Sequence, residues 1–185
     1  MDVAKKLITI AEFEQFVESP ENSERRFELI DGELVEKMPT ELHGYLAARF
    51  VIRLGPFVEL HKLGRITVEP RHQIPHDNQN SYLPDVAFTS ESRKLPLVKK
   101  GSVPQMPDFA IEIKSPTDSA TKLRRKAAYY LEHGAQMVWL VFPEKRIIEV
   151  YTADGNLQIL TEADELTGGD RLPGFTLSIA DLFTE

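Results

Sequence analysis

Cysteine is missing from all 185 residues. No disulfide can staple this chain, no thiolate can hold zinc, and no cysteine nucleophile is available. Long apolar runs are missing as well: nothing approaches the ~18 residues that a transmembrane helix needs. The opening MDVAKKLITIAEF has neither the apolar core nor the small-residue cleavage site of a secretory leader. These absences lead to the expectation of a cytoplasmic protein without a membrane segment. Positive charge is short overall, with 22 Lys and Arg against 29 Asp and Glu and a net charge of −7. That argues against a generic nucleic-acid coat protein. There is no P-loop, no Rossmann glycine pattern, no Gly-x-Ser-x-Gly and no HExxH.

What is present is ordinary for a globular chain, 42% hydrophobic and 28% charged. The length suits one domain over residues 1–185 with a sizeable core. The charge is unevenly spread. Residues 1–40 are net −5, residues 41–126 net +5, and residues 127–185 net −7. A basic middle can steer a polyanion even when the whole molecule repels it.

Thr9 and Glu12 fit a capping box, followed by a helix whose stripe is Phe13, Phe16 and Val17. RFELIDGELVEKMP reads as a hairpin around Asp31-Gly32. Phe27, Leu29 and Leu34 would face inward there, and Glu28 would face the other way. A helix from about Glu41 to Leu63 follows, with Leu46, Phe50, Leu54, Phe57 and Leu60 as its buried stripe. Gly55-Pro56 is expected to break or kink it. Strands are expected at 65–69, near 71–74, at 84–88 and through PDFAIEIKSPTD. Next come a helix from Ser119 to His133, the apolar strand MVWLVF at 137–142, and strands at 147–151 and 157–160 around Asp154-Gly155. The mixture gives an α/β or α+β domain with a central sheet carrying helices.

PDFAIEIKSPTD, residues 107 to 118, holds the chemistry. Alternation puts Phe109, Ile111 and Ile113 on one face of a strand, and Ala110, Glu112 and Lys114 on the other. Glu112 and Lys114 are then roughly 6.6 Å apart at the backbone and can converge. As a solvated surface pair they would be commonplace. A second carboxylate nearby would instead make a site for Mg²⁺, which favours one or two carboxylates plus waters and phosphate oxygens. Two Pro-Asp pairs compete. Asp108 lies four residues back on the same strand, roughly 13 Å away, too far for ligands at roughly 2.1 Å. Asp85 stands on a different strand. If the two strands are neighbours, roughly 5 Å apart, Asp85 and Glu112 can meet.

Pro84-Asp85 followed by Glu112-Ile113-Lys114 resembles the PD-(D/E)XK nuclease signature. The ordered set is more specific: FELIDGELVEKMPT with a following His, PDVAF, PDFAIEIKSPTDS, KLRRKAAYYLEHGAQ, MVWLVFPEKRIIEVY and LPGFTLSIADLF. It resembles the Uma-two family of restriction endonucleases over nearly the whole chain, from about Thr9 to Phe183.

The resemblance implies a restriction-endonuclease-like fold, a mixed central sheet flanked by helices. It implies metal-dependent hydrolysis of DNA, double-stranded by expectation. Asp85, Glu112 and the backbone carbonyl of Ile113 would hold Mg²⁺ or Mn²⁺. Lys114 would orient water and stabilise the transition state. Many family members carry their lysine on the following helix, here Lys126, and this chain has both; Lys114 is the preferred candidate. Glu28 and His43 also match the family pattern, Glu28 as a further acidic group and His43 for phosphate contact or proton transfer.

KLRRK is the best candidate for phosphate contacts outside the site. His72, His76 and Asp77 do not close a zinc ligand set. Ser115 reads as a turn residue and Trp139 as core. A homodimer would suit cutting of two antiparallel strands. The rival reading is a nuclease-fold module that binds nucleic acid or a partner protein without cutting; a third is a domain that mainly self-associates.

Overall fold

The computed structural model describes residues 7–184, so the first six residues of the segment searched for a leader lie outside it. Helix α1 (Ile10–Glu18) starts on the Thr9–Glu12 capping box, with Glu12 accepting from the Thr9 N–H at 2.8 Å. Strands β1 (Arg26–Ile30) and β2 (Glu33–Lys37) form an antiparallel ribbon. Asp31 and Gly32 both have positive φ, 51° and 75°, as a two-residue hairpin loop requires. Phe27 and Leu29 pack under Phe13 of α1. Glu28 points to the opposite face of β1.

A six-stranded sheet in the order β3-β4-β5-β6-β7-β8 is the centre of the molecule. Its strands are β3 (Gly64–Val68), β4 (Val86–Ser90), β5 (Phe109–Ile113), β6 (Met137–Phe142), β7 (Ile147–Thr152) and β8 (Leu157–Leu160). Only β5 and β6 run parallel; the other pairs are antiparallel. The crossover between them is α3 (Ala120–Glu132), capped by Ser119. Helix α2 (Glu41–Leu60) covers one side of the sheet. There Leu46, Phe50, Leu54 and Val58 share a core with Phe109, Ile111, Ile113, Trp139 and Val141. On the other side, Leu123, Ala127 and Tyr130 of α3 pack with Ala110, Val138 and Leu140. A second ribbon, β9 (Glu165–Gly168) with β10 (Leu172–Ser178), and helix α4 (Ile179–Phe183) close the α2 side.

Several expectations need correction. Helix α2 runs through Pro56. Pro56 lies on the exposed face, while Leu54 and Val58 on either side are anchored in the core. The carbonyl freed by the missing N–H can therefore reach water. Leu60 is 77% exposed, because the buried stripe passes through Val58 instead. Leu34 is exposed: it sits opposite Leu29 on the outer strand of the ribbon, beyond the reach of α1. Residues 71–74, between Pro70 and Pro75, make isolated bridges from His72 to Tyr82 and Val103 rather than a strand.

Candidate active site

Strands β4 and β5 are adjacent and antiparallel, with Val86 opposite Ile111. Continuing that register by one residue puts Asp85 opposite Glu112, on the same face of the sheet. Both are buried, as is Glu28 on β1. The antiparallel ribbon places Lys37 at the end of β2, on the face that Glu28 occupies. Thr40 caps α2 and fixes His43 in its first turn. Lys126 and Tyr130, one turn apart on α3, complete the group from the crossover side.

Each carboxylate has defined partners. Asp85 Oδ2 accepts from the Ile113 N–H at 2.7 Å and from His43 Nε2 at 2.9 Å. Its Oδ1 accepts from Lys37 Nζ. Glu112 Oε1 accepts from the Tyr130 hydroxyl at 2.6 Å and faces Lys126 Nζ at 2.8 Å. Its Oε2 lies 3.8 Å from Lys37 Nζ. Glu28 accepts from Lys126 at 2.8 and 3.1 Å and from the Leu83 N–H at 2.7 Å. Asp85 and Glu112 thus each tie one oxygen to their surroundings and turn the other towards one cation, the Lys37 ammonium.

The electrostatics follow from burial and neighbours. Burial opposes charge on Lys37, but Glu112, Asp85 and Glu28 outweigh it and raise its pKa. Lys126 is raised on the same balance, burial against Glu112 and Glu28. Burial works to raise Asp85, yet Lys37 and His43 hold it below the usual carboxylate range. Glu112 is raised, chiefly by burial, with Asp85 and Glu28 adding repulsion. Burial and Glu112 push the Tyr130 hydroxyl far up, so it remains a donor. Three carboxylates and two ammonium groups in one buried cluster are a poor device for stability. Desolvation costs several kcal/mol per ion, and apolar residues of like volume hold a fold as well or better. Such clusters concentrate at functional sites.

A cavity of about 340 Å³ opens onto this cluster, its wall including Glu28, Lys37, His43, Glu112 and Lys126. Lys122 and Arg125 of KLRRK also line it. Arg125 pairs with Asp31 at 2.6 Å, and Arg124 turns away to Glu149. Lys114 stands apart. β5 ends at Ile113, and Lys114 Nζ donates to the carbonyl of Ser115 at 3.1 Å, with no ion pair among the described residues. Asp108 is fully buried at the far end of β5, where it accepts from the Ser90 N–H at 2.8 Å and lies 3.2 Å from Arg93. His72 donates through Nδ1 to the Gln105 carbonyl, and Asp77 accepts from Tyr129.

Lys37 and Tyr130 escaped the reading of the sequence. The signal for Lys37 was present: a two-residue loop at Asp31-Gly32 fixes a register in which Lys37 shares the face of Glu28. Tyr130 falls on the apolar stripe of its helix, and periodicity does not show what a hydroxyl will meet.

Among the described residues, no three His, Asp or Glu side chains converge as a closed metal cage would. The open alternative, two carboxylates plus waters, fits Mg²⁺. Asp85 Oδ1 and Glu112 Oε2 meet that description by already facing one cation.

A solved structure from Anabaena variabilis ATCC 29413, described as "a putative nuclease belonging to DUF820", is similar over 95% of this chain and 97% of that one, with a TM-score of 0.82 and 26% identity. None of the curated proteins matches. The model of the Uma2 family, described as "Putative restriction endonuclease", matches residues 13–180. With a match over nearly all the described residues, on a nuclease-like mixed sheet, the chain belongs to the Uma2 family.

Proposed function

We propose that this protein is a divalent-metal-dependent endonuclease that hydrolyses DNA phosphodiester bonds. One observation carries the reading: Asp85, immediately before β4, and Glu112, on the neighbouring β5, each turn one oxygen to the same cation position, where the Lys37 ammonium stands. Asp85 and Glu112, with the Ile113 carbonyl as a further oxygen, would hold Mg²⁺ or Mn²⁺. When bound, such an ion supplies Lewis-acid charge that makes water a nucleophile near neutral pH and offsets the charge of the phosphate.

The protein's own residues do the rest. His43 and the Ile113 N–H fix the Asp85 carboxylate, and Tyr130 fixes that of Glu112. Glu28 secures Lys126 beside Glu112 on the cavity wall. From there the Lys126 ammonium can stabilise charge developing on the phosphate. Lys114 would take that role only after leaving the Ser115 carbonyl. Lys122 and Arg125, on the cavity wall, supply contacts to the backbone phosphates.

The rival reading, a module that binds without cutting, draws on the Lys37 ammonium already neutralising Asp85. Plasmid nicking with Mg²⁺ or Mn²⁺ separates the two. The expected result is metal-dependent cleavage by the wild type, reduced by at least roughly 100-fold in Asp85→Asn and Glu112→Gln. Equal cleavage by all three would overturn the proposal.

A further inference from the structure

We infer that Lys37 is a resident counter-ion in the cation position between Asp85 and Glu112, and that a divalent metal enters by exchange with its ammonium. The inference rests on the metal-dependent reading above and adds a residue that reading does not use. Among the described residues, Lys37 Nζ faces three oxygens: Asp85 Oδ1, the Leu83 carbonyl at 2.9 Å, and Glu112 Oε2 at 3.8 Å. Carboxylate and carbonyl oxygens are the donors a hard divalent cation takes. The remaining carboxylate oxygens are committed, Asp85 Oδ2 to His43 and Ile113, Glu112 Oε1 to Tyr130 and Lys126. A metal shared by Asp85 and Glu112 therefore needs the two oxygens that Lys37 holds. An ammonium and a divalent ion cannot share them, because like charges at that separation in a buried site repel strongly.

The two lysines of the cluster differ in what they can do. Lys126 comes from α3, within the packed crossover, and Glu28 gives it a partner of its own. It can stay when a metal arrives. Among the described residues, the carboxylates within ion-pair reach of Lys37 are the two metal candidates, with Glu28 acting on it only from further off. It stands at the end of a two-stranded ribbon outside the central sheet, on a flexible four-carbon stem, and it lines the cavity. Its ammonium can swing into that cavity without unpairing a strand. The exchange also accounts for how two like-charged, buried carboxylates stay together before a metal binds.

Titration calorimetry with Mn²⁺ on the full chain tests this in the wild type, Lys37→Met and Lys37→Gln, with circular dichroism to verify folding. Removing the competing ammonium is expected to tighten Mn²⁺ binding by about tenfold or more, and Asp85→Asn in the same background should abolish the gain. A second readout uses only wild type: acetylation of Lys37, followed by mass spectrometry, should rise several-fold when Mn²⁺ saturates the site. Equal or weaker Mn²⁺ binding by the folded variants overturns the inference and leaves the metal site standing. So does a Lys37 that stays unlabelled in the metal-saturated wild type, which also decides the matter if the variants do not fold. Absence of Mn²⁺ binding in every form overturns both the inference and the metal-dependent function.

Discussion

On one face of β5, Phe109, Ile111 and Ile113 share a core with Phe50, Leu54 and Trp139. On the other, Glu112 meets the buried Tyr130 and Lys126 and the partly buried Lys37. The two faces are one residue apart and obey opposite energetics. Each apolar side chain contributes about 1.5–3 kcal/mol by leaving water. Each buried charge costs several kcal/mol unless its partners are all in place. The first face holds the fold together. The second draws on that stability to keep carboxylates and ammonium groups in a fixed array, as the proposed catalytic role would require.

The largest effect expected is on the apolar face. Trp139→Ala, which would leave a void against Phe50, Phe109 and Phe175, should cost about 3–5 kcal/mol in denaturant unfolding. On the charged face, Lys126→Met alone strands Glu28 and Glu112 and should cost about 3 kcal/mol. Adding Glu28→Gln should return most of that stability without returning activity. If the double variant were as unstable as the single, the cluster would be a stabilising device and the contrast between the faces would fail.

His72 extends the comparison to a buried group outside both faces. Burial lowers its pKa from 6.5 to about 4. The folded state therefore binds its proton less readily than the unfolded state. The stability linked to His72 is complete above pH ~6.5, and is lost as pH falls through about 4. Unfolding titrations between those limits should show stability rising with pH, and His72→Gln should flatten that part of the profile. The smallest effect concerns Arg124 and Glu149, paired at 3.0 Å with Arg124 half-exposed. Glu149 is buried but keeps the Tyr151 hydroxyl at 2.8 Å, so Arg124→Ala should cost about 1–2 kcal/mol. A loss comparable to that of Lys126→Met would show that burial does not set the scale.

The sequence was legible where a signal is local. Asp31-Gly32 fixed a hairpin, Thr9 and Glu12 fixed a helix start, and the apolar run MVWLVF matches β6 from end to end. The preference for Asp85 over Asp108 used only strand spacing, and β4 and β5 are indeed neighbours. Alternation placed Glu112; Lys114, one residue beyond β5, has its Nζ on the Ser115 carbonyl, a local contact that alternation does not show. β9, β10 and α4 were not assigned, their short runs being interrupted by Gly168, Gly169 and Gly174. The way Lys126, Lys37 and Tyr130 divide between Glu112 and its neighbours is long-range packing, which no window of sequence contains.

Anomalous diffraction from crystals grown with Mn²⁺ tests the central claim most directly. The account predicts one strong peak at the Asp85 and Glu112 carboxylates, with the Lys37 ammonium displaced into the cavity. Mn²⁺ bound elsewhere, or none bound with Lys37 still on Asp85, would contradict it.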